Sequence, residues 1–133
     1  MFIQQALEKE LKLAAAVTAL AGERIYYAGN VPQEVAYPYI VLQKISDVPD
    51  KHSFDAASEA SVARIQISIF SDNYYTCQQI ADAVKAAING FKGTMGGGAG
   101  VAVGGCFLES DNDLPPEDKL APYGIAADYI LHY

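Results

Sequence analysis

Apolar and polar residues alternate along residues 61–70, near the middle of the chain. The apolar set is Ala63, Ile65, Ile67 and Ile69, and its members are separated by Arg64, Gln66 and Ser68. Side chains of a β-strand point alternately to its two faces, so all four apolar groups lie on one face. The pattern predicts a strand with one buried face.

The period of the pattern changes after this strand. Apolar residues then recur at the spacing of an α-helix, and the set is Cys77, Ile80, Ala81, Val84 and Ile88. Ser71, Asp72 and Asn73 offer side-chain oxygens that can cap the first turn, and Gly90 can end the helix. One strand that leads directly into one amphipathic helix is therefore predicted.

One helix and two further strands are predicted in the first third of the chain. Helical spacing of apolar residues marks residues 2–20, and we expect one helix here, ended by Gly22. Residues 24–27 form a short candidate strand, and a loop with Gly and Pro follows. Residues 39–45 are predicted to form the next strand. Pro38 suits the position at its start, because proline has no amide hydrogen to donate to a neighbouring strand.

Three predicted connections and two predicted strands complete the chain. Residues 46–60 are polar and predict a long connection, and five glycines between residues 93 and 100 predict a flexible turn. We expect a strand at residues 101–108 and an acidic, exposed connection with two prolines at residues 109–120. Alternation then predicts a final strand at residues 122–133.

The predicted elements follow the order α-β-β-β-α-β-β. An antiparallel or mixed sheet of about five strands, with two helices packed on one face, is the two-layer solution for this order, so we predict the α+β class. The 133 residues contain no internal repeat. We expect a single domain over residues 1–133, because a chain of this length can bury a core of its own.

Composition adds information about surface and location. Charged residues make up 19% of the chain, whereas about a quarter is typical, which indicates that other subunits cover part of the surface. The net charge of −7 lacks the basic footprint of a protein that binds nucleic-acid phosphates. Charged residues at positions 8–12 argue against a signal peptide or a membrane span, so a cytosolic location is expected.

No motif for phosphate or metal binding is found. The glycine-rich residues 93–100 lack a G-x-G-x-x-G pattern and lie between a helix and a strand, whereas phosphate loops run from strand to helix. Residues 111–113 are similar to the start of a calcium loop, but prolines follow where a ligand and a glycine are needed. His52 and His132 have no metal-ligand spacing. We expect no cofactor and no metal.

The residues of nucleophilic catalysis also lack their usual surroundings. Cys77 and Cys106 lie in no CxxC motif, and two interpretations stay open: small buried hydrophobic residues, or a disulfide between helix and strand. No G-x-S-x-G motif is present, and no activating signature surrounds either cysteine. The sequence therefore favours a protein that is not an enzyme.

Several of these elements are characteristic when they occur together. They are the strand Arg24-Ile25-Tyr26, the strand Tyr37-Pro38-Tyr39-Ile40-Val41-Leu42, the strand at residues 62–70 and the helix with Ile80-Ala81-Asp82-Ala83-Val84. In this order the chain resembles the tail-completion, or tail-terminator, proteins of long-tailed bacteriophages and prophages. The match covers nearly the whole chain, although the segment after Gly90 agrees only in its general pattern.

The resemblance implies a structural protein that assembles into a ring, expected to be hexameric, which caps the tail tube and joins it to the head. The implied partners are copies of the same chain, the tail tube protein and the head connector or stopper protein, with no sequence-specific nucleic-acid binding and no membrane. The implied location is the host cytoplasm during assembly, and then the virion tail at the head–tail interface. The strand after Pro38 and the terminal strand are the expected edges for pairing with neighbouring subunits.

Partner-binding residues are expected in the polar connections and on the last strand. Polar connections often become ordered on binding, and tyrosine is enriched at subunit interfaces. Two alternatives stay open: a small cytosolic α+β enzyme or ligand-binding domain, and a head-completion or connector subunit. The candidate partner-binding residues are Asp47, Asp50, Phe54, Asp55, Asp111, Asp113, Tyr129 and Tyr133.

Overall fold

The computed structural model describes residues 2–49, 61–114 and 122–133. These residues form one six-stranded sheet in the order β1-β2-β3-β6-β5-β4. β1 and β2 are parallel, and all other neighbours are antiparallel. The helices and strands are α1 (Ile3–Leu13), α2 (Ala15–Ala21), β1 (Ile25–Tyr27), β2 (Tyr39–Pro49), β3 (Ser61–Ser71), α3 (Tyr74–Ile88), β4 (Phe91–Met95), β5 (Val101–Leu114) and β6 (Tyr123–His132).

The predicted α+β class with a mixed sheet and helices is confirmed. The described residues contain three helices and six strands, one more of each than predicted. The core lies between the sheet and the helices, and β3 lies near its centre, between β2 and β6. The alternation predicted for β3 is confirmed, because the four apolar residues of the predicted buried face, Ala63, Ile65, Ile67 and Ile69, are all 0% exposed.

The predicted helix after β3 is confirmed as α3. Asn73 is its N-cap, and the Oδ1 atom of Asn73 accepts a hydrogen bond of 2.9 Å from the amide of Tyr75. The helix ends at Ile88 with Asn89 as its C-cap, and Gly90 follows with a φ of +81°, a conformation that glycine adopts without strain. The buried side of α3 covers β3, β5 and β6.

The prediction of one helix over residues 2–20 is wrong. Two helices, α1 and α2, meet at Ala14, whose ψ of 108° is extended. Ala14 is neither glycine nor proline, so its own side chain does not force the break. The change of direction lets α1 pack on α3, β2 and β4 while α2 packs on α3. Both helices bury apolar residues in the same core, and tertiary packing therefore outweighs the continuous helical pattern.

The prediction that the glycine-rich stretch is only a flexible turn is partly wrong. Its first residues belong to β4, which pairs with β5 and which the sequence reading missed. Gly96, in the following turn, has a φ of +89°, and a Cβ there would lie 2.9 Å from the Cα of Ala6. A Cβ on Gly100 would lie 1.8 Å from the carbonyl oxygen of Met95. Close packing of backbone therefore requires glycine at these two positions.

Two predicted connections are partly wrong, because strands extend into them. Residues 46–49 continue β2 and pair with the start of β3, and residues 109–114 continue β5 and pair with β6. A β-bulge interrupts each long strand, near Ile45 in β2 and near Glu109 in β5. The remaining parts of both predicted connections lie outside the described residues.

The prediction that the terminal strand is an edge is wrong, because this strand lies inside the sheet. β6 lies between β3 and β5 and pairs with both along its length. Its alternation is confirmed on the side of the core, where Ile125, Ala127, Tyr129 and Leu131 are buried. Ala126, on the opposite face, is 5% exposed because strands flank β6 on both sides.

Candidate assembly interfaces

Part of β2 has an open edge. β1 pairs only with the start of β2: the amide of Ile40 donates to the carbonyl oxygen of Arg24, and the carbonyl of Leu42 accepts from the amide of Ala28, both at 2.9 Å. Beyond Leu42, no described strand lies on this side of residues 43–49. The backbone groups that point outward there are free to pair with another strand.

Part of β5 has an open edge on the opposite border of the sheet. β4 pairs with β5 only as far as Cys106, whose carbonyl accepts from the amide of Gly90. The side chain of Asn89 then accepts a 2.9 Å hydrogen bond from the amide of Leu108. Within the described part of the chain, residues 109–114 have no strand on this side. The sheet therefore presents a second free edge.

The face of the sheet opposite the helices is partly apolar. Aromatic rings stack there across β2 and β3, with 5.2 Å between the ring centroids of Tyr39 and Phe70. Val48 and Phe107 lie on the same face near the two bulges, and each is about half exposed, at 53% and 52%. Exposed apolar side chains on such a surface are typical of a contact with another protein.

An ion pair crosses this face above β6. The guanidinium of Arg64 on β3 lies 2.8 Å from the carboxylate of Glu109 at the β5 bulge. Both side chains are more than a third exposed, so the pair contributes no more than about 1 kcal/mol to folding. The ion pair therefore stabilises the fold only slightly, and this face of the sheet carries both charged and apolar side chains.

Asp47 and Tyr133, two of the predicted partner-binding residues, meet at one end of the sheet. The hydroxyl of Tyr133 donates a hydrogen bond to the carboxylate of Asp47, and the ammonium of Lys44 lies 3.9 Å from the same carboxylate. Burial, and then the hydrogen bond to Asp47, raise the pKa of Tyr133 to about 12. The Asp47 side chain thus holds the last residue of the described chain against β2.

Asp111 and Asp113 lie at the other end of the sheet, on β5. Asp113 accepts hydrogen bonds of 3.0 and 3.1 Å from the hydroxyl of Tyr74, at the start of α3. Both aspartates are exposed. The structure therefore divides the described candidates into two groups, since Asp47 and Tyr133 lie at the opposite end of the strands.

Tyr129 does not lie at the surface. Its side chain is 1% exposed in the core, and burial raises its pKa. It is therefore out of reach of a partner in the folded chain. Asp50, Phe54 and Asp55 lie outside the described residues.

Lys44 and Leu114 lie on the open edges, Phe107 lies on the face opposite the helices, and all three were missed as candidates. Only the exposed fraction of Phe107 and the length of the strands reveal them, and neither is visible in a short pattern.

The chemistry available to the described residues is limited. No group of three or more His, Cys, Asp or Glu side chains in this part of the chain could hold a metal ion. Cys77 and Cys106 are free and buried, so the disulfide alternative is wrong. Burial raises the pKa of both thiols, that of Cys106 to about 12, which keeps them protonated and unreactive.

An open groove of about 440 Å³ runs beside the free edge of β2, and its lining includes Phe2, Tyr27 and Lys44. The hydroxyl of Tyr27 is already engaged, because it donates a hydrogen bond to Glu8 on α1.

None of the helices in the described parts of the chain has the length and hydrophobicity needed to cross a membrane. Within the described residues, the open strand edges and the partly apolar face are the distinctive features of the surface.

Comparison with solved structures shows that the fold is shared. One chain of the structure described as "Virion of native gene transfer agent (GTA) particle" has a TM-score of 0.75 and 23% sequence identity, and the match covers 98% of this chain and 92% of that chain. A comparison with curated proteins gives no significant match. The sequence model of the family described as "Tail completion protein gp17" matches residues 5–124. The match covers most of the chain, so the protein belongs to this tail completion family and has a structural role in phage tail assembly.

Proposed function

We propose that the protein forms a ring that caps the tail tube and joins the tail to the head, and that it does so without catalysing a reaction. The observation that carries this proposal is that, among residues 2–49, 61–114 and 122–133, no strand covers part of β2 or part of β5 on opposite borders of one sheet. A closed ring needs two different contact surfaces on each subunit, and the two edges supply them. The expected ring is a hexamer.

The two groups of candidate residues support a joint between two partners. Asp47 and Tyr133 lie at one end of the strands and Asp111 and Asp113 at the other. Asp50, Phe54 and Asp55, which follow β2 in the chain, stay proposed partner-binding residues. These groups mark the two ends of the strands, and we propose that one end of the ring contacts the tail tube protein and the other the head connector or stopper protein. Assembly takes place in the host cytoplasm, and the ring lies at the head–tail interface of the virion.

The acidic character of the chain suits a ring around DNA. The net charge of −7 repels phosphates, which lets a genome pass through a ring without adhering to its wall. The proposal accordingly includes no sequence-specific binding of DNA.

Deletion of the gene tests the proposal. In a phage or prophage without it, we expect tubes of irregular length and heads without tails in electron micrographs, and complementation with the intact gene should restore joined particles. Labelled protein should be found at the head-proximal end of isolated tails. A normal yield of joined particles without the gene contradicts the proposal, and label on isolated heads instead of tails favours a connector subunit.

A further inference from the structure

We propose that neighbouring subunits join edge to edge, with residues 43–49 of β2 in one copy paired antiparallel to residues 109–114 of β5 in the next. The inference rests on the proposed ring and specifies how its subunits meet. Each segment is paired with the sheet on one side and is free, within the described residues, on the other. Each is about 20 Å long, since a strand rises about 3.4 Å per residue.

The flanking strands do not obstruct this pairing. β1 covers only the start of β2, and β4 covers only the start of β5, so the two free segments lie at diagonally opposite corners of the sheet. When the free segments of two copies pair, β4 of one copy lies beyond the end of β2 in the other. In the same way, β1 lies beyond the end of the neighbouring β5. The two borders are therefore complementary in outline.

Strand directions favour the same arrangement. Successive neighbours from β2 through β3 and β6 to β5 are antiparallel, so β2 and β5 run in opposite directions within one copy. Two copies in the same orientation consequently bring β2 and β5 together as an antiparallel pair, with hydrogen bonds perpendicular to the strands. Pairing of β2 with β2, or of β5 with β5, needs a two-fold axis and ends in a dimer.

The offset between the free segments is compatible with closure of a ring. The strand pairing within one subunit shows how far the middles of the two free segments are displaced along the strands. Asp111, near the middle of the free β5 segment, lies level with Leu42. Ser46, at the middle of the free β2 segment, lies level with Arg64 and Phe107. The offset is about three residues, or roughly 10 Å, over a repeat of four strands that is roughly 19 Å wide. The strands then tilt by roughly 30° from the ring axis, near the tilt of about 35–45° in closed barrels.

Charge also distinguishes between the possible pairings. Lys44 and Asp47 pair with Ile65 and Ala63, and Asp111 and Asp113 pair with Ala127 and Ile125, so these four charged residues share the helix side of the sheet. Antiparallel pairing of the two edges places Lys44 opposite one of the two β5 aspartates, and opposite charges across a strand pair are stabilising. The carboxylate of Asp47 is already engaged within its own subunit, because it accepts a hydrogen bond from Tyr133 and lies 3.9 Å from the ammonium of Lys44. Pairing of β5 with itself would oppose carboxylates, which is destabilising.

Cysteine cross-linking tests the interface. Ser46, Ser110 and Asn112 lie on the face of the sheet opposite the helices, and the two registers that keep the faces aligned place Ser46 opposite Ser110 or Asn112. Two double variants of the full chain are oxidised in solution and in isolated tails: S46C with S110C, and S46C with N112C. Cβ atoms of directly opposed residues lie about 4.5–5.5 Å apart, close enough for a disulfide after small adjustments.

One double variant should give a ladder of cross-linked species that ends at the closed ring on a non-reducing gel. Each single variant alone should give no cross-link, and a mixture of the two matching single variants should give dimers only. The native protein is the control, since its cysteines are buried. Unchanged melting temperatures would show that the variants are folded.

Two outcomes overturn the inference. Rings that are seen by light scattering or in isolated tails, without a ladder from either double variant, mean that other surfaces form the ring and leave the proposed function intact. Dimers from a single variant alone mean symmetric pairing. If the protein stays monomeric even in isolated tails, both the inference and the proposed ring are wrong.

Discussion

Ile67 shows how strictly one residue of β3 is constrained. It is 0% exposed and lies between Leu42 on β2 and Ala127 on β6, on the face that the helices cover. Burial of one such side chain stabilises the fold by roughly 1.5–3 kcal/mol. Its neighbour Ser68 lies on the opposite face and is half-buried.

We expect Ile67→Asp to unfold the protein, because a charge without a partner cannot be accommodated in the core. The loss of stability should exceed about 4 kcal/mol. Ser68→Asp is the matched control and should cost no more than about 1 kcal/mol. Urea unfolding followed by circular dichroism measures both, and a folded Ile67→Asp variant would mean that the two faces of β3 are reversed.

The hydroxyls of Tyr27 and Tyr133 make stability sensitive to alkaline pH. Burial, and then hydrogen bonds to Glu8 and Asp47, raise the pKa of both tyrosines to about 12, above the ordinary value of 10. The unfolded chain therefore loses these protons at lower pH than the folded chain does. The stabilisation is fully present below pH 10 and is lost as the pH rises towards 12.

The urea midpoint should fall between pH 10 and about 12, and the fall should be smaller in Tyr133→Phe. Tyr75→Phe is the control, because Tyr75 is 79% exposed at the start of α3. An equal fall in the native protein and in Tyr133→Phe would show that the contact with Asp47 does not contribute.

At the scale of elements, the sequence predicts those whose period is regular and uninterrupted. β3 and α3 were predicted because a change of period from that of a strand to that of a helix marks their junction. β4 was missed because a glycine interrupts it and its pairing with β5 is distant in sequence. The end of β2, including Asp47 and Pro49, has weak strand propensity and is held by pairing with the start of β3.

The candidate partner-binding residues were also predicted only in part. The expected position of Asp111 and Asp113 at the surface agrees with the structure, although they lie on a strand instead of a loop. Tyr129 could have been rejected from the pattern alone, because alternation places it on the same face as Ile125 and Leu131. The strand after Pro38 was expected as an edge, and part of β2 is one. The extent of this edge and the free edge of β5 could not be predicted, since they depend on where β1 and β4 end.

The turn between β4 and β5 gives a prediction at this scale. Gly96→Ala should destabilise the protein by about 2 kcal/mol or more, because Gly96 has a positive φ and its backbone contacts Ala6 on α1. Gly98→Ala should change stability by less than about 0.5 kcal/mol, since no atom lies within 4 Å of a Cβ there. Thermal unfolding of both variants measures the difference, and equal effects would show that α1 does not contact the turn in solution.

At the scale of the whole molecule, the proposed interface predicts a charge-swap experiment. Lys44→Glu alone, or Asp111→Lys with Asp113→Lys, should weaken each contact between subunits by about 1 kcal/mol, roughly fivefold. The triple variant should restore most of the affinity, because the charges are exchanged but still opposite. Lys85→Glu, on the exposed side of α3, is the control with the same change of charge.

Light scattering over a range of concentrations, with tube protein added, measures this self-association. Failure of the triple variant to recover, with the single-side variants impaired and folded, would mean that Lys44 and the two aspartates act on different partners.

The position of β6 in the middle of the sheet has a consequence for synthesis. In the sheet, β1, β2 and β3 form one block and β5 and β4 the other, and β6 is the strand that pairs with both. The sheet is therefore completed only after residues 123–132 have left the ribosome. A polypeptide released before that point lacks the strand that sets the distance between the two borders of the sheet.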